Sequence, residues 1–107
     1  MKESIETLIY WIAGRPTRVG YRYLTAAIEI VLEDGYPIRS LTTSLYPKIA
    51  ERTGATTHSV ARGLARAVDD CWEYGNRNAL EQLVGRRLLE KPSPGEMIYY
   101  LVRYLSH

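Results

Sequence analysis

His58, Arg62 and Arg66 recur every four residues, a spacing that puts three basic side chains on one face of a helix. Arginine suits guanine in a DNA major groove because its planar fork donates to O6 and N7 together. Ala61 and Ala65 lie beside the stripe, and side chains that short let a helix approach the groove floor. The plain competing reading is that Arg62 and Arg66 only solvate an outer helix face, with Asp70, four residues after Arg66, completing a surface ion pair.

The preceding residues decide between these readings. Ile49-Ala50-Glu51-Arg52-Thr53-Gly54-Ala55-Thr56-Thr57-His58-Ser59-Val60 has what two helices crossing over a tight turn require. A small residue stands where backbones approach (Ala50), a residue tolerant of positive φ stands in the turn (Gly54), and an apolar pair wedges the helices (Ile49 and Val60). This is the spacing of a DNA-binding helix-turn-helix, with a recognition helix over about 57–74. His58, Ser59, Ala61, Arg62, Ala65 and Arg66 are then the base-reading candidates. Lys48 and Arg52, on the helix that crosses the backbone, are phosphate candidates together with Thr56 and Thr57 at the next helix start. Thr56 either caps the first amides or leaves some of them to a phosphate.

The elements that must position these residues are helices throughout. Ile5, Leu8, Ile9 and Ile12 form a first apolar stripe, closed by Gly14; Leu24, Ala27, Ile28 and Val31 form a second, ending near Asp34-Gly35. Tyr36-Pro37 is a connector. Leu41, Leu45, Ile49 and Ala50 continue the period, with Pro47 either kinking this segment or beginning a fresh turn. Val60, Leu64, Ala67, Val68, Cys71 and Trp72 mark the long inward stripe, stopped by Gly75-Asn76. Leu80, Leu83, Val84 and Leu88 predict a shorter helix. Ser93-Pro94-Gly95-Glu96 then spells a capping box before Ile98, Leu101, Val102 and Leu105. No useful strand alternation or repeat interrupts this. The expectation is an all-α fold of about six helices with a central helix-turn-helix, a winged-helix-like effector domain without strands.

At 107 residues the chain accommodates one domain over 1–107, and 46% hydrophobic with 24% charged residues is ordinary globular composition, so a core is expected. Neither a membrane span nor a secretory leader is legible, and one cysteine allows no internal disulfide, which together predict a cytoplasmic protein with no membrane partner. The net charge of +2 is small, but residues 35–68 hold Arg39, Lys48, Arg52, Arg62 and Arg66 against Glu51 alone, whereas residues 1–34 carry four basic and five acidic groups. Positive charge is concentrated around the turn, as nucleic-acid contact requires.

Nothing in the pattern supplies catalysis, a metal site or a cofactor. Cys71 lies on the inward stripe and reads as core. His58 and His107 are distant and lack an acidic companion cluster, and Asp69-Asp70 point in different directions with no base or nucleophile beside them. Tyr99, Tyr100 and Tyr104, near Arg103, read as helix packing rather than base stacking.

Several separated motifs in order give the chain a family resemblance: Gly20-Tyr21-Arg22-Tyr23-Leu24, Leu45-Tyr46-Pro47-Lys48-Ile49-Ala50, Cys71-Trp72-Glu73-Tyr74-Gly75-Asn76 and Lys91-Pro92-Ser93. From about Ile5 onward it resembles the C-terminal effector domain of the master transcription regulator of bacterial sporulation. The resemblance implies six helices with the fourth in the major groove of double-stranded DNA, head-to-tail homodimers on tandem sites, and an RNA polymerase sigma subunit contact at positions matching Trp72 to Leu83. The family's recognition-helix arginine corresponds to Arg62. This chain departs from the family with Ala61 for glutamate, Ala65 for arginine, Arg66 for histidine, and His58-Ser59 for a serine-arginine pair, which alters the direct base contacts. The family's receiver domain has no counterpart in these 107 residues. A second reading follows from these departures: a stand-alone module that captures a transcription regulator or polymerase subunit and has little DNA affinity.

Overall fold

The computed structural model describes residues 4–35 and 40–106. The expected Tyr36-Pro37 connector, Arg39 and His107 lie outside the described residues, as does the side chain of Leu41. Six α-helices occur in order, α1 (Ile5–Ile12), α2 (Val19–Asp34), α3 (Tyr46–Thr53), α4 (Thr57–Tyr74), α5 (Arg77–Val84) and α6 (Pro94–Ser106), with no strand among the described residues. The all-α expectation and its central pair of helices are therefore observed.

The helix ends follow local chemistry. Ser4 caps α1 by accepting from the Thr7 amide at 3.0 Å, and Asn76 caps α5 by accepting from the Ala79 amide at 3.0 Å. The capping box of α6 is complete: the Glu96 amide donates to Ser93 Oγ at 3.1 Å and the Ser93 amide to Glu96 Oε1 at 2.8 Å. Before α3 a π-helical turn, Leu41–Leu45, is closed by the Leu45 amide reaching the Ser40 carbonyl at 3.4 Å. Pro47 stands in the first turn of α3, so it begins a fresh helical turn instead of kinking a continuous helix.

One expectation is corrected. Leu88 belongs to the core but not to α5, which stops at Val84; Glu81 Oε2 accepts the Leu88 amide at 2.9 Å and holds that leucine inward from the connector. Apolar spacing alone does not distinguish a helical leucine from one pinned in a following loop.

The core sits around α2, which packs against α1, α3, α4 and α6. Leu8, Ile12, Leu24, Ile28, Leu64 and Leu101 are almost wholly buried, each worth about 1.5–3 kcal/mol on transfer from water. What fixes α4 against α2 is backbone proximity: a Cβ on Gly20 would stand 2.1 Å from the Gly63 carbonyl oxygen, and one on Gly63 2.5 Å from the Tyr23 ring. At Gly20 a larger residue would meet backbone, and at Gly63 it would have to displace the Tyr23 ring, so the start of α2 lies pressed against the middle of α4.

Candidate nucleic-acid interface

The turn between α3 and α4 is made as its residues require. Ala50 O accepts from both the Gly54 and Ala55 amides, the latter at 3.0 Å, and Gly54 adopts the left-handed conformation with φ +71. Thr56 then caps α4: its hydroxyl accepts from the Ser59 amide at 3.0 Å and donates to Ser59 Oγ at 3.0 Å. Of its two anticipated roles Thr56 thus takes the cap, while the Thr57 and His58 amides find no partner among the described residues. Ile49 and Val60 are both 0% exposed, the wedge that the spacing predicts.

Helical phase divides α4 as expected. Val60, Leu64, Ala67, Val68 and Cys71 are buried, and His58, Ser59, Arg62, Ala65 and Arg66 are exposed. Ala61 and Thr57 are half-buried, Ala61 packing partly against the core. Trp72, expected on the inward stripe, lies instead at the rim, half-buried, its ring covered by the Arg77 guanidinium 3.4 Å from the centroid. Arg77 also donates to the Trp72 carbonyl at 2.8 Å.

The candidate cations fall into two electrostatic groups. Lys48 Nζ is 2.8 Å from Asp34 Oδ2, and Arg52 is 2.9 Å from Glu33 and 3.8 Å from Glu29. The acidic end of α2 therefore covers both expected phosphate contacts on α3. Arg62 and Arg66, by contrast, have no ion-pair partner among the described residues. The surface pair considered between Arg66 and Asp70 does not form, because Asp70 turns inward and is 4% exposed.

Asp70 is the largest departure from the sequence reading. Its Oδ2 accepts from the Gly14 amide at 2.9 Å, the Arg15 amide at 2.8 Å and the Tyr21 hydroxyl, so one carboxylate staples α4 to the turn between α1 and α2. Burial by itself raises its pKa, but the Tyr21 hydrogen bond, the two amides and the nearby Arg18 charge outweigh burial and hold it below the usual carboxylate value. Burial also pushes the Cys71 thiol up to about 11, against a lowering hydrogen bond with Tyr21, which keeps it a protonated core group. Among the described residues no cluster of His, Cys, Asp and Glu is placed to hold a metal ion. No described helix is long and apolar enough to cross a membrane.

A three-residue turn between α3 and α4, with unpaired guanidinium groups on the outer face of the second helix, defines a helix-turn-helix domain. Residues 5–105 match the family model for the sporulation initiation factor Spo0A C terminal. The chain belongs to this family of DNA-binding effector domains, which regulate transcription in sporulation.

Proposed function

We propose that the chain is a sequence-specific transcription regulator that lays α4 in the major groove of double-stranded DNA. The observation that carries this reading is the exposed, unpaired stripe of Arg62 and Arg66 on a helix whose other face is locked into the core. Arg62 and Arg66 read guanine. His58, Ser59, Ala61 and Ala65 shape the surface around them, the two alanines keeping the approach close. The Thr57 and His58 amides and the Thr57 hydroxyl face a phosphate at the helix start. Lys48 and Arg52 engage the backbone on the α3 side once released from α2, and Thr56 acts there through its cap. Family membership extends the proposal to head-to-tail dimers on tandem sites and to a polymerase sigma contact along Trp72 to Leu83, in the cytoplasm where the DNA lies.

Selection from random duplexes tests the reading directly, since it assumes no particular site. On the selected duplex, Arg62→Ala or Arg66→Ala costs about 1–3 kcal/mol for the bidentate arginine–guanine pair it removes and relaxes preference at one base pair. If both variants bind with unchanged affinity and specificity, α4 does not read bases. Binding to no duplex at low salt, with recovery of a polymerase subunit or regulator instead, favours the protein-capture reading. The ion pairs of Lys48 and Arg52 give that second reading its specific support, because they reduce the charge available to phosphate.

A further expected result concerns those pairs. Glu33→Gln removes the nearer of Arg52's two carboxylate partners, leaving Glu29 at 3.8 Å, and strengthens binding to all duplexes alike, by about two- to fivefold, the scale of one exposed ion pair. It also steepens the salt dependence. Unchanged affinity, measured by fluorescence anisotropy, removes Arg52 from the phosphate-binding set.

A further inference from the structure

We infer that Arg18, at the start of α2, is a phosphate-binding residue that extends the DNA interface beyond the helix-turn-helix on the side away from α3. This rests on the reading of α4 as the groove-entering helix and adds a residue outside the motif. The close approach of Gly20 to Gly63 brings the first turn of α2 beside the outer face of α4. Between them lies an open groove of about 360 Å³ lined by Arg18, Val19, His58, Arg62 and Arg66 among others, with no acidic residue in its wall. Four basic side chains converge there, whereas both candidate cations of α3 are neutralised by carboxylates. A polyanion seated against α4 finds on the α2 side a partly exposed cation whose only carboxylate partner among the described residues is the buried Asp70.

Arg18 is also held in position. Its Nε lies 4.0 Å from Asp70 Oδ1, a buried oxygen with no hydrogen bond of its own among the described residues, and its side chain is 46% exposed. Attraction to Asp70 draws the Nε side of the guanidinium inward. The two terminal nitrogens, with four N–H donors, remain for an outer anion. The neighbouring depression, which Arg18 and Arg66 share with Asp69, Asp70 and Glu73, is acidic. A phosphate therefore approaches from the His58 side, where the wall carries only positive or neutral groups.

The experiment follows the full chain by fluorescence anisotropy on its selected duplex and on an unrelated one, between about 50 and about 200 mM salt. Removing one phosphate interaction lowers the slope of log K against log salt by about 0.9, so across that range the affinity of Arg18→Gln falls about 3.5-fold less than the parent's. The weakening at low salt is the same factor on both duplexes. Arg18→Lys keeps the charge and the slope. Val19→Glu supplies an independent check, because Val19 is 51% exposed on the groove and an acidic residue in the first turn favours the helix. It weakens both duplexes without lowering the melting temperature. An unchanged salt slope in Arg18→Gln, unchanged affinity in Val19→Glu, or an effect on the selected duplex alone overturns the inference while leaving base reading by α4 intact. If the parent chain binds neither duplex at low salt, the major-groove reading and the Arg18 assignment fall together. Should Arg18→Gln fail to fold, Val19→Glu decides.

Discussion

Asp70→Ala destabilises the domain by about 3–5 kcal/mol, the sum expected when three donors are deprived of a buried charged acceptor and water only partly replaces it. The donors are the Gly14 and Arg15 amides and the Tyr21 hydroxyl, all held by one oxygen of a 4% exposed carboxylate. Denaturant titration measures the effect, and a change under about 1 kcal/mol would show that the staple contributes little. The same carboxylate gives the fold a pH dependence whose sign follows from its lowered pKa. A group held below its unfolded value stabilises the native state fully above that unfolded value, near 3.8, and loses the contribution as pH falls through the lower folded value. Stability therefore declines on acidification below about pH 4, and Asp70→Asn flattens that part of the profile. An Asp70→Asn profile that parallels the parent's would assign the acid sensitivity to other carboxylates.

Gly20→Ala is the second severe substitution. The added Cβ would stand 2.1 Å from the Gly63 carbonyl oxygen, a backbone atom that moves only if α2 and α4 separate. The cost is about 3 kcal/mol or more, at the upper end of overpacking effects. Gly63→Ala is milder, because its Cβ meets the Tyr23 ring at 2.5 Å and a side chain can yield where backbone cannot. Gly54→Ala is set by a different cause, with open space around its Cβ but φ +71, and costs about 1–2 kcal/mol from left-handed strain. The expected order of thermal stability is therefore Gly54→Ala above Gly20→Ala, with DNA affinity most impaired in Gly20→Ala because α4 is displaced. A Gly20→Ala protein as stable as the parent would mean that the two helices do not touch through their backbones in solution.

Much of this was legible in the sequence because it rests on local chemistry. Apolar spacing located all six helices, Gly54 located the turn, and Ser93 with Glu96 located the α6 cap. The exposed stripe of α4 followed from phase alone. What escaped was non-local. Asp70 is seven residues after Gly63, about 20° away on the helix surface, and so shares the edge of α4 that the structure presses against α2. Its donors, however, lie more than fifty residues earlier for the two backbone amides and nearly as far for the tyrosine, which no spacing rule connects. The masking of Lys48 and Arg52 likewise depends on how α2 lies beside α3. The acidic residues Glu29, Glu33 and Asp34 were counted as flank charge although they face the very cations they neutralise. Arg18 stood among residues of mixed charge and became notable only once Gly20 and Gly63 had met.

The staple at Asp70 also limits how the two central helices can be used. Because α4 is oriented by groups in the turn between α1 and α2 and by the Asn76 amide bonding to the Ile12 carbonyl at 3.2 Å, the pair α3–α4 is not a portable cassette. Transplanted onto another scaffold without residues 12–21, it would keep its tight turn but leave a desolvated carboxylate with nothing to satisfy it. A graft of this helix pair has to bring its amino-terminal bracket along, or replace Asp70 with an apolar residue that asks for no partner.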